Sequence, residues 1–309
     1  MSVRTPDAKG AARPVNRPVR RLRPSYWPFV LPALAVVVGV ILFPWAFTLW
    51  MSANDWQVGV DQHFVGLANY QRLAGDARFL QALWRTLLYT GLSVALPLIL
   101  GTMAALLFDN RLPARGLLRG IFVMPMMATP VAIALVWTMM FHPQLGILNY
   151  LLSLAGIGPQ EWVFHPKSVI PSLVMVETWQ WTPLIMLIVL GGLASLPAEP
   201  FESAALDGAN PWQRFRFITF PMITPFLMIA VIIRTIDALK SFDIIYAITQ
   251  GGPGTASETI NLYLYSVAFT YYDVGYGSAI AVVFFILVIA LSLLLMALKR
   301  RAAELTGEA

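Results

Sequence analysis

Five ionisable residues interrupt apolar stretches in the second half of the chain. Glu177 lies in one stretch, and Arg234, Asp237, Lys240 and Asp243 lie in the next. If such stretches cross a membrane, each charged side chain costs roughly 2.5–3.5 kcal/mol on insertion scales. Charges at that cost are usually paired with one another or line a path for polar solutes or ions. Their spacing therefore decides what chemistry they could perform.

Helical geometry predicts which of these side chains meet. At 100° per residue, Arg234, Asp237 and Ser241 share one helix face, whereas Asp243 points away and lies near the external end. A rise of about 1.5 Å per residue places Glu177 about 12 Å below one membrane surface and Arg234 about 20 Å from the other. In a slab about 30 Å thick these heights nearly match. We therefore expect a Glu177–Arg234 ion pair, with Asp237, one turn along, as the alternative partner of Arg234.

The residues that follow Glu177 suit a carbohydrate. Indole faces fit the apolar CH faces of a sugar ring, and amides and carboxylates hydrogen-bond its hydroxyls. The candidate substrate pathway comprises Glu177, Trp179, Gln180, Trp181, Arg234, Asp237, Ser241 and Asp243. The alternative is a structural ion pair, with the tryptophans packed against neighbouring helices.

The composition requires a lipid environment for the elements that carry these residues. The 309-residue chain is 58% hydrophobic and 12% charged, and its mean hydropathy is +0.69, whereas soluble domains have about a quarter charged residues. The net charge of +5 does not predict nucleic-acid binding, because the basic residues lie at membrane boundaries. The absence of cysteine excludes thiol chemistry. His63, His142 and His165 lie in loops without a second ligand at helical spacing, so we expect neither a metal nor a cofactor.

Six apolar stretches predict an all-α integral membrane fold with six transmembrane helices. Each exceeds the roughly 18–20 residues that cross the hydrocarbon core as a helix. The stretches are Tyr26–Met51, Leu87–Phe108, Ile121–Phe141, Val169–Leu196, Met222–Ile248 and Tyr276–Leu298. Internal prolines predict kinks, and short surface helices are expected in the connections 52–79 and 142–168. Neither an internal repeat nor a break in the middle of a span is evident.

The distribution of lysine and arginine predicts the orientation. Basic residues concentrate in both terminal tails and in the second and fourth connections, whereas the other connections hold only Arg72, Arg78, Arg85 and Lys167. The positive-inside rule then places both termini in the cytoplasm of a bacterium, with the chain in its inner membrane. We expect residues 1–25 to form a flexible basic tail, 26–300 the membrane domain, and 301–309 a second cytoplasmic tail.

The connection 197–221, PAEPFESAALDGANPWQRFRFITFP, predicts two short cytoplasmic helices with a sharp bend. Pro200 suits a first helical turn, and Gly208 suits the position that ends a helix. Asn210 is a strong N-cap, with Pro211 at the first position and Gln213 at capping-box spacing. The alternative is an amphipathic loop that rests on the membrane.

This connection resembles the EAA motif of binding-protein-dependent ABC importer permeases. The matching residues are Glu202-Ser203-Ala204, Gly208, Ile218 and Phe220-Pro221, with Ser203 and Phe220 as the departures. Further stretches resemble those of carbohydrate permeases similar to the larger permease of the maltose transporter, namely FVGLANY at 64–70, Phe242-Asp243 and Gly251-Gly252-Pro253-Gly254.

The resemblance implies a sugar-uptake permease. Its partners would be a second permease, two copies of a cytoplasmic ATPase and an external solute-binding protein. The EAA loop would dock on the ATPase through Glu202, Ser203, Ala204, Ala205, Asp207, Gly208 and Ala209. The four lysines stand in no phosphate-binding loop of the G-x-x-x-x-G-K-[ST] type, so the chain is not expected to be an enzyme that hydrolyses ATP.

Two other functions remain possible on the sequence. In an ion-coupled secondary transporter of a small polar solute, Glu177 and Asp237 would be the coupling residues. The third possibility is a channel or a membrane scaffold without energy coupling. An importer permease is distinguished from both by its association with an ATPase.

Overall fold

A computed structural model describes residues 26–110 and 113–306, with side chains as far as Arg301. The predicted tail 1–25 lies outside the described residues, and the last helix extends into the predicted C-terminal tail. The chain forms two compact units, one ending at Ala46 and the other beginning at Phe47. Every contact discussed below lies within the second unit.

Helices account for almost all of the regular structure in the described ranges. They are α1 Trp27–Ser52, α2 Ala68–Ala74, α3 Ala77–Asp109, α4 Arg115–Met127, α5 Pro130–Met140, α6 Ile147–Leu154, α7 Val169–Ala194, α8 Glu199–Leu206, α9 Pro211–Leu239, α10 Asp243–Thr249, α11 Ile260–Thr270 and α12 Val274–Thr306. Two short strands, β1 Asn54–Asp55 and β2 His63–Phe64, pair antiparallel. Helices α2 and α6 occupy the two connections in which short surface helices were predicted.

Among the described residues, five helices are long and apolar enough to cross a membrane: α1, α3, α7, α9 and α12. Helices α4 and α5 together match the predicted third span, but the chain bends by 96° between them. The count is therefore six if the bent pair is one span, and the all-α membrane fold is confirmed.

The bend between α4 and α5 has a local cause. Thr129 precedes Pro130 and is extended, with φ −68° and ψ 143°. The proline ring disfavours helical geometry in the residue before it, so the predicted kink is a break. Pro97 and Pro183, by contrast, lie inside the continuous helices α3 and α7.

A second break corrects the expectation of one continuous fifth span over 222–248. Helix α9 ends at Leu239, and α10 begins only at Asp243. No glycine or proline stands at residues 240–242, so no local signal marks the break. The fifth span is therefore α9, which begins at Pro211 and is itself uninterrupted, so the expectation that no span is broken in its middle was wrong only at the bend between α4 and α5.

Helix α7 packs against α3 and α9 at positions that exclude a side chain. A Cβ added to Gly101 of α3 would lie 2.6 Å from the Ile185 Cβ of α7. One added to Gly192 of α7 would lie 2.7 Å from the Phe226 ring of α9. Small residues allow membrane helices to approach this closely, and α7 becomes the central helix of the second unit.

Polar contacts tie the start of α3 to α11 and α12. The Asp76 side chain caps α3 and also accepts hydrogen bonds from the Tyr263 and Tyr276 hydroxyls, at 2.5 and 2.6 Å. Arg78 donates two hydrogen bonds to Glu258, at 2.8 and 2.7 Å. Burial raises the pKa of Asp76, but the hydrogen bonds it accepts outweigh that effect and leave the pKa below its ordinary value. The sequence analysis did not identify this cluster.

Candidate functional site

A polar cavity of about 230 Å³ lies where α5, α7, α9 and α10 meet. It sits beside the break between α9 and α10, and Lys240 and Phe242 from the break line it. Six residues of the predicted pathway also line it, namely Glu177, Gln180, Trp181, Asp237, Ser241 and Asp243. Residues distant in sequence are thus brought to one site, largely as predicted.

Arg234 lies fully buried beside this cavity and is paired twice. Its Nη2 donates to Glu177 Oε2 at 2.7 Å, and its Nη1 donates to Asp237 Oδ2. Its guanidinium carbon also lies 4.7 Å from the centre of the Trp181 ring, within cation–π range. The predicted Glu177–Arg234 contact is present, and the alternative contact with Asp237 occurs at the same time.

Hydroxyl groups extend this network to a third helix. Ser241 Oγ donates to Glu177 Oε1 at 3.3 Å and lies 3.2 Å from the hydroxyl of Tyr89. Tyr89 belongs to α3 and is completely buried. The sequence analysis missed Tyr89, which stands only two residues inside the predicted second span, although a buried tyrosine usually has a polar partner.

Trp179 does not belong to the cavity. At 100° per residue it stands 200° around α7 from Glu177, and its side chain is half-exposed on another face. There it packs edge-on against Trp137, with ring centres 5.8 Å apart, and lines an apolar groove. The grouping of Trp179 with Glu177 ignored this rotation and was wrong.

Asp243 lines the cavity, in keeping with its place in the candidate pathway, but the predicted helix face was wrong, because Asp243 was expected to point away from Asp237 and Ser241. The prediction extended one helix through residues 240–242, where the chain in fact changes direction. Helical periodicity cannot be carried across such a break.

Several polar groups of the cavity have no partner among the described residues. Gln180 is 1% exposed, and its Oε1 atom accepts no hydrogen bond. Lys240 and Asp243 form no ion pair with a described side chain. Buried polar groups are normally satisfied, so the Gln180 Oε1 atom is available to a solute that carries hydroxyls. Lys240 and Asp243 are exposed and are open to solvent or solute alike.

The connection after α7 forms the predicted sharp bend between two helices, but the second helix is not short, because α9 continues from Pro211 to Leu239. Pro200 lies in the first turn of α8, and Gly208 ends it with φ +74°. Asn210 Oδ1 accepts from the Gln213 N–H at 2.9 Å, and the Asn210 N–H donates to Gln213 Oε1 at 2.8 Å. This reciprocal pair is the predicted capping box.

The surface of α8 is mostly polar or small, with one large apolar side chain. The predicted docking residues Glu202, Ser203, Ala205, Asp207 and Gly208 are exposed, Ala209 is half-buried and Ala204 is buried. Leu206, which the sequence analysis did not single out, is 90% exposed.

Comparison with known proteins identifies related chains. A family described as "Binding-protein-dependent transport system inner membrane component" matches residues 97–304. The trehalose/maltose transport system permease protein MalF of Thermococcus litoralis is 38% identical over 275 residues, which cover 88% of this chain and 92% of that protein. The sulfoquinovosyl glycerol transport system permease protein SmoG of Agrobacterium fabrum is 32% identical over 259 residues, covering 83% and 84%.

A solved structure shares the fold. It is a crystal structure of a bacterial alginate ABC transporter in complex with an alginate pentasaccharide-bound periplasmic protein. The matched chain superposes with a TM-score of 0.76 at 20% identity, over 89% of this chain and 93% of that one. At this identity the likeness concerns the arrangement of the helices alone.

Proposed function

Because the chain belongs to the family of binding-protein-dependent transport system inner membrane components, and is a permease subunit of an ABC importer, we propose that it carries a carbohydrate across the bacterial inner membrane. Relatives named for trehalose and maltose or for sulfoquinovosyl glycerol support a sugar or a related polyhydroxylated solute. None of the matches described above is an ion-coupled transporter. The observation that carries the proposal is the polar cavity. It offers hydrogen-bonding groups to a polar solute in a region that is otherwise built from apolar helices.

In the proposed pathway, the cavity groups have two different roles. Gln180, Lys240 and Asp243 are the groups with free donors or acceptors, and they would hydrogen-bond the hydroxyls of a passing sugar. Arg234 has both terminal nitrogens engaged by carboxylates, so it would hold Glu177 and Asp237 in place rather than bind the solute. The exposed side of the Trp181 ring would contact an apolar sugar face.

The energy would come from other subunits. We propose that a second permease completes the pathway, that an external binding protein delivers the solute, and that two copies of a cytoplasmic ATPase drive the cycle. Helix α8 and the bend at Gly208 would dock on one ATPase copy, with exposed Leu206 inserted into its surface.

Reconstitution tests this assignment. The chain would be co-expressed with the neighbouring permease, ATPase and binding-protein genes, purified as a complex and placed in liposomes with a panel of radiolabelled sugars. We expect uptake of a carbohydrate that requires both ATP and the binding protein. Uptake that persists without ATP, or an ion gradient that replaces ATP, would contradict the proposal.

Substitution of Gln180 tests the cavity itself. Gln180→Leu removes the unpaired acceptor at similar volume, and one lost hydrogen bond should raise the KM for uptake by roughly 2- to 12-fold. The matched control is Thr178→Val, because Thr178 Oγ1 is also buried without a partner but its residue lines the apolar groove. Equal effects of the two substitutions would remove Gln180 from the pathway.

A further inference from the structure

A second groove, separate from the polar cavity, lies between α9 and α12. Its volume is about 410 Å³, and its lining consists of Ile229, Ile232, Ile233, Met296, Lys299 and Arg300. Each helix contributes residues at positions i, i+3 and i+4, which form one continuous stripe on a helix face. Two such stripes facing one another make an elongated furrow rather than an isolated pit.

The groove is apolar along its floor and cationic at one end. The three isoleucines and Met296 present only hydrocarbon and a thioether, while Lys299 and Arg300 follow Met296 by one helical turn. Lys299 is half-buried and Arg300 is exposed. Neither forms an ion pair with a side chain that the structure describes.

The depth of the charged end suits a lipid headgroup. Lys299 and Arg300 stand in the final turn of the membrane span that runs over Val274–Arg301. Basic residues at this level face lipid phosphates, and basic pockets between membrane helices bind anionic headgroups. An anionic lipid headgroup would supply a counter-charge to these two cations.

We propose that this groove binds an anionic phospholipid, with an acyl chain along the isoleucine stripe of α9 and the phosphate between Lys299 and Arg300. The occupant must combine a flexible hydrocarbon chain with a negative head, because the floor is apolar and both charges lie at one end. In the proposed orientation the lipid comes from the cytoplasmic leaflet. Binding itself does not depend on that orientation or on the transported solute.

Native mass spectrometry of the purified complex tests this proposal, with phosphatidylglycerol as the probe and phosphatidylcholine of the same chain length as the neutral reference. We expect the complex to retain more phosphatidylglycerol. The double substitution Lys299→Gln/Arg300→Gln should weaken its binding by roughly 5- to 30-fold, as expected for two basic residues near an anionic headgroup.

Two further variants separate the groove from general surface charge. Arg214→Gln/Arg216→Gln removes the same charge from the start of α9, away from the groove, and should change binding less than about 2-fold. Met296→Trp retains both cations but fills the groove, and it should weaken phosphatidylglycerol binding as the double substitution does.

Three outcomes would overturn the proposal. The first is equal retention of the two lipids by the complex without substitutions. This comparison tests the proposal even if a variant fails to insert. The second is an equal loss of binding in the Arg214/Arg216 control. The third is a crosslink from Met296 to a helix of the partner permease in place of lipid. Loss of sugar uptake alone bears on the transport function and not on this site.

Discussion

Arg234 combines complete burial with two carboxylate partners that differ in exposure. The Glu177 side chain is 4% exposed, whereas that of Asp237 is 50% exposed. A buried charge that loses its partner costs on the order of 3–5 kcal/mol, but a charge that can reach solvent costs much less. The ion pair with Glu177 should therefore contribute more to the stability of the fold than the ion pair with Asp237.

Three single substitutions measure the difference between the two ion pairs. Arg234→Met strands Glu177 and should lower the stability of the purified chain by about 3–5 kcal/mol. Glu177→Gln leaves Arg234 paired with Asp237 and should cost less, and Asp237→Asn should cost least. Denaturation in detergent micelles checks the order.

The joint substitution of Glu177 and Arg234 should be milder than the sum of the two single changes, because no buried charge then remains without a partner. Simple additivity in this double-mutant cycle would show that the two groups do not interact. A larger loss for Asp237→Asn than for Glu177→Gln would reverse the assigned roles.

Helix α3 depends on Gly101 for its close approach to α7. In Gly101→Ala the new Cβ would fall 2.6 Å from Ile185, so the helices must separate, at a cost of about 1–3 kcal/mol. Gly91→Ala in the same helix is the matched control, because a Cβ there meets nothing within 4 Å. Thermal unfolding in detergent should show destabilisation by the first substitution and none by the second.

The bend between α8 and α9 depends on Gly208 for a different reason. Its φ of +74° suits glycine, although open space surrounds it. Gly208→Val forces a β-branched residue into left-handed geometry, which costs more than the roughly 1–2 kcal/mol of an ordinary side chain. We expect the permease to insert normally while ATP-dependent uptake falls several-fold.

Gly158→Val is the control for this substitution, because Gly158 lies in a loop where an added Cβ meets nothing within 4 Å and φ is not positive. That variant should transport normally. If Gly208→Val also inserted and transported at the normal rate, the proposed docking role of the bend would be wrong.

The membrane topology as a whole remains a prediction from loop charge. Since the chain contains no cysteine, an introduced cysteine is the one thiol that can be labelled. Its labelling therefore shows on which side of the membrane that position lies. We expect a membrane-impermeant maleimide to label a Gln144→Cys variant in intact spheroplasts and to label an Ala205→Cys variant only after lysis. Labelling of Ala205→Cys from outside would place α8 on the wrong side for an ATPase and invert the assigned orientation.

Local signals in the sequence determined the spans and the capped cytoplasmic loop. Hydropathy over about 20 residues is enough to place a membrane helix, and a cap such as Asn210 acts within one turn. The height of Glu177 and Arg234 followed from helical rise alone, so their contact could be predicted without a structure.

Only the tertiary structure decided how helices rotate and where they break without a proline. The grouping of Trp179 with Glu177 failed on rotation, and the orientation of Asp243 failed on the break at residues 240–242, which contains neither glycine nor proline. Tyr89 entered the network because α3 packs beside α7, and the groove beside Lys299 exists because α12 packs beside α9. These features depend on contacts between helices far apart in sequence, which local propensity and hydropathy do not encode.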